Sequence, residues 1–215
     1  MLKRLIIAIV IICIFTVLAT QTPLENLLFQ YKGQPIDPYE EVDVLNQIQV
    51  MSAEEAGKGS ENGEDLHKGI SLPTHLEIPT LDVSASIYGV GLTSEGAMDT
   101  LNGPTPIAWY KYGSIPGQEG NTLLAGHRDW NGAIGTLFYL ETMRIGDTLV
   151  ITFENGKKQT FILESNNIYD IDKIPENVMS LKGESRVTVI TCAGDYNKNT
   201  GLYKSRAVAI FKKMN

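Results

Sequence analysis

Short runs of β-branched, apolar and aromatic residues, separated by Gly, Pro, Asn and Asp, occupy the chain from residue 70 onward. Runs of this kind predict β-strands bounded by turns. Two of them flank Asn155-Gly156, which is the strongest short-range signal for a β-hairpin. We expect seven or eight strands, and the clearest runs lie at 75–83, 85–90, 121–127, 147–154, 158–169, 185–192 and 205–213.

Only two stretches of this region, 135–143 and 174–181, have the pattern of brief helices. So many strands with so little helix are typical of a closed barrel. The sequence therefore predicts an all-β fold, a closed β-barrel of about eight strands with antiparallel or mixed pairing and short helices in the connections.

The N-terminus has a different pattern, because no charged residue occurs between Leu5 and Leu24 after the pair Lys3 and Arg4. Some 20 apolar residues in a helix span roughly 30 Å, the thickness of the hydrocarbon core of a membrane. Residues 1–24 are therefore predicted to form a single-pass membrane anchor. A cleaved signal peptide is the alternative, since the strictly apolar run is short. The positive flank stays in the cytoplasm, so the rest of the chain is expected to be extracellular.

The charge of the chain argues against one class of partner, and its distribution separates an acidic segment from the predicted domain. The 215 residues carry a formal net charge of -7 at pH 7, which argues against a nucleic-acid partner because phosphates select a basic face. Residues 25–69 hold ten acidic residues and three lysines. We predict that residues 25–69 form an acidic tether and that residues 70–215 form one folded domain.

Cys192 is the one cysteine of this predicted domain. In oxidising surroundings outside the cell, cysteines usually occur in pairs that form disulfides, and the domain has no second cysteine. Two interpretations are open. The thiol is either a small buried apolar group or a nucleophile.

Two more polar residues stand at equivalent places in their predicted strands. His127 ends one strand, Cys192 ends another, and Arg206 opens the last. A histidine can exchange a proton with a thiol, and an arginine can stabilise the oxyanion of an acyl-transfer reaction. Taken singly, each has a structural interpretation, His127 as a loop histidine and Arg206 in a surface ion pair with Asp195 or Asp129.

Together the motifs resemble those of the sortases, the cysteine transpeptidases of Gram-positive cell surfaces. The histidine motif of that family resembles NTLLAGHRDW at 121–130, the cysteine strand resembles SRVTVITCAGD at 185–195, and the arginine strand resembles SRAVAIFKK at 205–213. The anchor and the tether also agree with the family, and the resemblance covers residues 72–213. Residues 96–121, followed by AGHRDW, are most similar to sortase class F, with class D second.

The resemblance implies a sortase-type β-barrel that cleaves an LPxTG-like sorting signal, with His127, Cys192 and Arg206 as its catalytic residues. The signal would lie in a groove beside the loop 166–184. Apolar side chains of that loop, spaced to meet the leucine and proline of the signal, and Thr191 are predicted to bind it. The predicted substrate-binding residues are Ile174, Val178, Met179, Leu181 and Thr191. The alternative for the loop residues is that they simply cap the barrel.

The same resemblance implies the reaction. Cys192 attacks the threonine carbonyl, His127 protonates the departing amine, and Arg206 stabilises the oxyanion. An amine then resolves the thioester, and a peptidoglycan precursor, a pilin lysine and water are all open as acceptors. No metal or organic cofactor is implied. From reference pKa values near 8.5 and 6.5, we expect a neutral thiol and a neutral imidazole to dominate at pH 7.

Three other functions fit the sequence less well. A papain-like amidase needs its cysteine at the start of a helix and its histidine later in the chain, whereas here His127 precedes Cys192 and Cys192 ends a predicted strand. An L,D-transpeptidase has a Ser-x-Gly-Cys type of motif, which Ile190-Thr191-Cys192 lacks. A non-catalytic surface-binding barrel would make the three polar residues coincidental.

Overall fold

The computed structural model describes residues 67, 69–94 and 96–214. The described part of the chain contains ten strands and one four-residue α-helix, α1 (Glu176–Met179), with 3₁₀ turns at Pro79–Leu81, Leu140–Thr142 and Ile171–Lys173. The strands are β1 (Pro73–Ile78), β2 (Val83–Val90), β3 (Ile107–Tyr110), β4 (Asn121–Ala125), β5 (Asp129–Trp130), β6 (Ala133–Ile134), β7 (Thr148–Phe153), β8 (Lys158–Asp170), β9 (Arg186–Asn197) and β10 (Leu202–Lys213).

Eight of these strands close into a barrel in the order β1-β2-β3-β4-β9-β10-β8-β7, and β5 pairs only with β6. Neighbouring strands are antiparallel except for two parallel pairs, β2 with β3 and β4 with β9. The prediction of a closed all-β barrel of about eight strands is confirmed. The prediction left antiparallel and mixed pairing open, and the barrel is mixed.

Two apolar clusters lie on opposite faces of the barrel wall. The first takes side chains from all eight barrel strands and therefore fills the interior. The second takes side chains from β2, β3, β4, β9, β10 and α1 and lies on the outside of the wall. Because side chains alternate between the two faces of a strand, Val189 faces the interior and Ile190 faces the outer cluster. Burial on both faces explains the continuous apolar run of β9.

The predicted hairpin at Asn155-Gly156 is confirmed. Strands β7 and β8 pair antiparallel, with Thr152 opposite Lys158. Gly156 has φ +76°, a left-handed conformation that glycine adopts at little cost. The amide of Gly156 donates to the carbonyl of Phe153 at 2.8 Å and closes the turn.

The strand prediction was wrong at two places in the barrel. The run 75–83 is not one strand, because Pro79–Leu81 forms a 3₁₀ turn and Asp82 adopts φ 53°, which separates β1 from β2. Strand β3 was not predicted, since its four residues lie within a Gly- and Pro-rich stretch and gain strand geometry only by pairing with β2 and β4.

No helix within the described ranges is long and apolar enough to cross a membrane. The predicted anchor, 1–24, and the predicted tether, 25–69, except His67 and Gly69, lie outside the described residues.

Candidate active site

Cys192 lies within β9, two residues after Ile190. Residues two apart in a strand point to the same face, so the thiol continues the outer face on which Ile190 packs. The Cys192 side chain is 7% exposed. A buried position on its own fits the structural interpretation of this cysteine, so the neighbouring side chains decide between the two readings.

Arg206 is the direct cross-strand partner of Cys192 in the antiparallel pair of β9 and β10. Cα atoms of such partners lie about 4.5 to 5.5 Å apart. The guanidinium is buried, with only 1% of the residue exposed, and its Nη1 donates to the carbonyls of Tyr203 at 3.2 Å and Ser205 at 2.9 Å. Burial lowers the pKa of Arg206 and Cys192 raises it. Because an arginine side chain is protonated throughout the pH range in which proteins fold, the group stays charged.

The alternative that Arg206 forms a surface ion pair is wrong, because Arg206 is buried. Of the two acids considered as its partners, Asp195 lies 3.5 Å from Lys204, and Asp129 accepts a hydrogen bond from the hydroxyl of Tyr203. The charge of Arg206 therefore lies inside the protein beside the thiol.

His127 follows β4 after one glycine, and the parallel register of β4 with β9 brings it beside Cys192. Ala125 is the partner of Ile190, and the pairing continues beyond the strand end. The amide of Gly126 donates to the carbonyl of Ile190 at 3.2 Å. Two residues further along each chain, the direction of this pairing brings His127, just beyond the end of β4, to the side of Cys192 in β9.

The His127 ring is held on two sides. Its Nε2 lies 2.8 Å from the carbonyl oxygen of Leu101. A carbonyl can only accept, so Nε2 carries the hydrogen, and in the neutral ring Nδ1 is left as the acceptor. The ring packs against Trp130 with 4.7 Å between centroids. Burial lowers the pKa of His127, and the Leu101 carbonyl and Asp129 partly oppose that effect. The geometry therefore supports the expectation of a neutral imidazole at pH 7.

The loop that carries His127 is shaped by glycines. Asn131 and Gly132 have φ 47° and 80°, the positive values of a two-residue type I′ turn between β5 and β6. Sequence analysis missed this hairpin although Asn-Gly is its usual signal, because each strand has only two residues. At Gly135 a Cβ atom would lie 2.2 Å from the carbonyl oxygen of His127, so only glycine fits there.

The structure places the five predicted substrate-binding residues in packed positions. Val178 and Met179 are each 5% exposed, and Ile174 and Leu181 pack against the outer cluster. Thr191 is buried and donates from Oγ1 to the carbonyl of Gly126 at 2.8 Å. In this structure the four loop residues pack against the outer cluster on the barrel wall, and Thr191 ties the cysteine strand to the histidine loop. Their role in binding substrate stays a prediction.

Two side chains clamp the loop that contains α1, and sequence analysis assigned neither. The side-chain amide of Asn121, which is fully buried, donates to the carbonyls of Val178 at 3.0 Å and Ser180 at 3.1 Å, and its Oδ1 accepts from Thr188 at 2.8 Å. Arg186 donates to the Ser180 carbonyl at 2.6 Å. The loop beside the candidate site is therefore fixed to β4 and β9.

Asn121→Ala is expected to lower the free energy of unfolding by about 3 kcal/mol, because the buried Val178 carbonyl and Thr188 hydroxyl lose the partner that Asn121 provides. Denaturant unfolding checks this value. Asn177→Ala is the matched control, since Asn177 is exposed in the same loop, and it should stay close to wild type. Equal stability of the two variants would show that the clamp contributes nothing.

Within the described residues, no group of three or more His, Cys, Asp or Glu side chains is placed to hold a metal ion. What the site brings together is one thiol in β9, one guanidinium in the neighbouring strand β10, and one imidazole just after β4, the other neighbour of β9. Such a set can supply a nucleophile, a proton carrier and a charged donor for an oxyanion.

A family model described as the sortase domain matches residues 76–213, which include all three of these side chains. The chain belongs to the sortase family. No curated protein matches the sequence at a significant level.

Solved sortase structures share the fold of this sortase. Sortase A from Corynebacterium diphtheriae is 18% identical with a TM-score of 0.53, over 67% of this chain and 61% of its own. Sortase C-1 from Actinomyces oris is 18% identical with a TM-score of 0.52, over 66% and 73%. Streptococcus agalactiae sortase C1, in a complex with MTSET, is 22% identical with a TM-score of 0.51, over 66% and 66%. This chain thus spans less than two thirds of the C. diphtheriae protein.

The His127 imidazole of this sortase is expected to titrate below the usual value of about 6.5, because burial disfavours its charged form. The measurement is an NMR titration of the ring in Cys192→Ala, which removes coupling to the thiol. The same variant in denaturant is the control and should give the ordinary value. A midpoint at 7 or above in the folded protein would mean that Asp129 outweighs burial.

Proposed function

We propose that this sortase is a cysteine transpeptidase that cleaves an LPxTG-like sorting signal and transfers its acyl part to an amine. The observation that carries the proposal is that Arg206 lies buried directly opposite Cys192, with His127 just beyond the end of β4, the strand that pairs with the other side of β9. A barrel that only bound surfaces would have no need to bury a charged guanidinium beside a thiol, since burying a charge is costly.

In the first half-reaction His127 takes the proton of the Cys192 thiol, and the resulting thiolate attacks the threonine carbonyl and forms a C–S bond. The carbonyl oxygen becomes an oxyanion, which the Arg206 guanidinium stabilises. The C–N bond to the following glycine breaks, and the His127 imidazolium donates its proton to the departing amine. The products are a thioester on Cys192, a free amine and a neutral imidazole.

In the second half-reaction an incoming amine attacks the thioester. Neutral His127 takes the proton that this amine loses, a C–N bond forms, and the C–S bond breaks to release the thiolate. The cycle returns the enzyme to its starting protonation state. No atom changes its oxidation state in either half-reaction, so the reaction needs no redox group.

The finer assignments rest on sequence. We infer that the protein is of class F, with class D as the alternative, from residues 96–130. We also infer that residues 1–24 anchor the protein in the cell membrane, that residues 25–69 tether it, and that residues 70–215 act outside the cell on surface-protein signals. The charge-free run after Lys3 and Arg4 supports this topology. Cleavage of the domain by a protease added to intact cells tests it, and full protection would contradict it.

A direct assay tests the activity. Full-length protein in detergent is incubated with LPxTG-like peptides that vary at the fifth position, together with glycine peptides, lysine peptides or no amine. Mass spectrometry of the peptide products reads the cleaved bond and the chosen acceptor. The proposal predicts cleavage after threonine and amide products that require an added amine. Cleavage by no peptide, with the protein folded, would contradict it.

A further inference from the structure

Tyr203 joins the two halves of the candidate site. It lies in β10, three residues before Arg206, and its carbonyl accepts a hydrogen bond from Nη1 of that arginine. Its hydroxyl donates to the carboxylate of Asp129. Asp129 lies two residues after His127, in the short hairpin strand β5. One tyrosine thus contacts the oxyanion donor with its main chain and the histidine loop with its side chain.

The strand geometry around Tyr203 is irregular in a way that serves this contact. The register of β9 with β10 shifts between Tyr203 and Ser205, and Gly194, opposite that shift, has φ +75°. A glycine in the left-handed region is typical of a β-bulge, and bulges redirect the neighbouring side chains. One regular pair, Ser205 with Ala193, separates the irregularity from the paired residues Arg206 and Cys192.

The hydrogen bond between Tyr203 and Asp129 is of a strong kind. Both residues are partly buried, and an O–H group that donates to a carboxylate makes a stronger bond than a neutral pair does. Burial raises the pKa of Tyr203, and the hydrogen bond to Asp129 raises it further. The phenol therefore keeps its proton at neutral pH and can donate to Asp129.

Other contacts of the histidine loop go to different elements. The bond from Thr191 to Gly126 holds the start of the loop to β9, and Arg128 pairs with Glu141 at 2.6 Å on the side of the 3₁₀ turn Leu140–Thr142. Without the Tyr203 hydroxyl, Asp129 loses its link to the strand that carries the oxyanion donor. The His127 ring, packed on Trp130 of the same hairpin, would then be less firmly placed.

We propose that Tyr203 is a positioning residue, which fixes the His127 loop against the Cys192–Arg206 strand pair through its hydrogen bond to Asp129. This inference rests on the proposed transpeptidase function. Reactions that need three groups in register lose rate when one of them is displaced by an ångström or less. The effect belongs to the chemical steps and leaves binding of the sorting signal largely unchanged.

Kinetics of the full-length protein test the proposal. Tyr203→Phe removes only the hydroxyl and is expected to lower kcat about tenfold, with KM for the sorting peptide changed by less than about twofold. Asp129→Ala should lower kcat by at least as much. Because the two changes break one bond, the double variant should be no slower than Asp129→Ala. Tyr139→Phe, at a half-exposed tyrosine outside the site, is the matched control and should match wild type.

Asp129→Asn separates position from charge. The asparagine carbonyl still accepts from Tyr203, so this variant should keep most of the activity that Asp129→Ala loses. Equal losses of kcat in Asp129→Asn and Asp129→Ala would overturn the proposal. So would a loss in the double variant equal to the product of the two single losses. So would an unchanged kcat in Tyr203→Phe. A wild-type protein without transpeptidase activity would refute the proposed function itself, which is a distinct outcome, and thermal unfolding of each variant identifies any loss of fold.

Discussion

Replacing Cys192 with alanine is expected to abolish both thioester formation and amide transfer, with a loss in kcat of at least about 10⁴-fold. The reason is chemical, since no other described group in the site can form the covalent intermediate, and the buried Arg206 has no anion to stabilise. The measurement is intact-protein mass spectrometry of the acyl-enzyme together with chromatography of the amide product.

The matched control for that experiment is Cys13→Ala, because Cys13 lies in the predicted anchor, far along the chain from the barrel. It should retain wild-type activity. The cost of Cys192→Ala in stability should be small, about 1 kcal/mol, because only one buried sulfur atom is removed. An acyl-enzyme that still forms in Cys192→Ala would place the nucleophile elsewhere.

Arg206→Lys is expected to reduce kcat by about 10² to 10³, the usual cost of losing one oxyanion donor. Lysine keeps the positive charge but lacks the planar fork of donors, and the guanidinium is held by the carbonyls of Tyr203 and Ser205. Steady-state kinetics on a sorting peptide measure the loss, which should fall on kcat more than on KM.

The burial of Arg206 also changes its expected effect on stability. An exposed position would tolerate lysine within about 1 kcal/mol. At 1% exposure the substitution disturbs buried hydrogen bonds to a charged group, and a loss of about 1 to 3 kcal/mol is expected. Denaturant unfolding measures it.

Lys204→Ala is the matched control for Arg206→Lys. The Lys204 side chain is 61% exposed and lies 3.5 Å from Asp195, which is itself exposed. A surface pair of this kind contributes little, so activity and stability should both stay near wild type. A large loss of kcat in Lys204→Ala, together with a small loss in Arg206→Lys, would show that the oxyanion donor lies two residues earlier in β10.

The sequence by itself determined most of the barrel strands, the class of fold and the three candidate catalytic residues. Strand β9 and the hairpin of β7 and β8 were predictable because their signals are local: a continuous run of β-branched residues, and an Asn-Gly between two alternating runs. His127, Cys192 and Arg206 stood out because each occupies the end of such a run and because the motifs around them resemble those of a known family.

Only the tertiary structure decided how these residues meet. The parallel pairing of β4 with β9 joins residues 65 positions apart, and the bond from Tyr203 to Asp129 joins residues 74 positions apart. No local pattern encodes either contact. The burial of Arg206, expected at the surface, has the same origin, as do the clamp made by Asn121 and the packing of the five predicted substrate-binding residues.

The difference has a physical reason. The sequence near a residue determines whether it lies in a strand and which face of that strand its side chain points to, whereas the closed barrel determines what packs against that face. Alternation assigns Cys192 and Ile190 to the same side of β9. It does not say whether that side meets solvent or a second cluster. The answer came from β10, from the histidine loop and from the segment around α1, each of which reaches the site through long-range pairing whose register depends on the whole barrel.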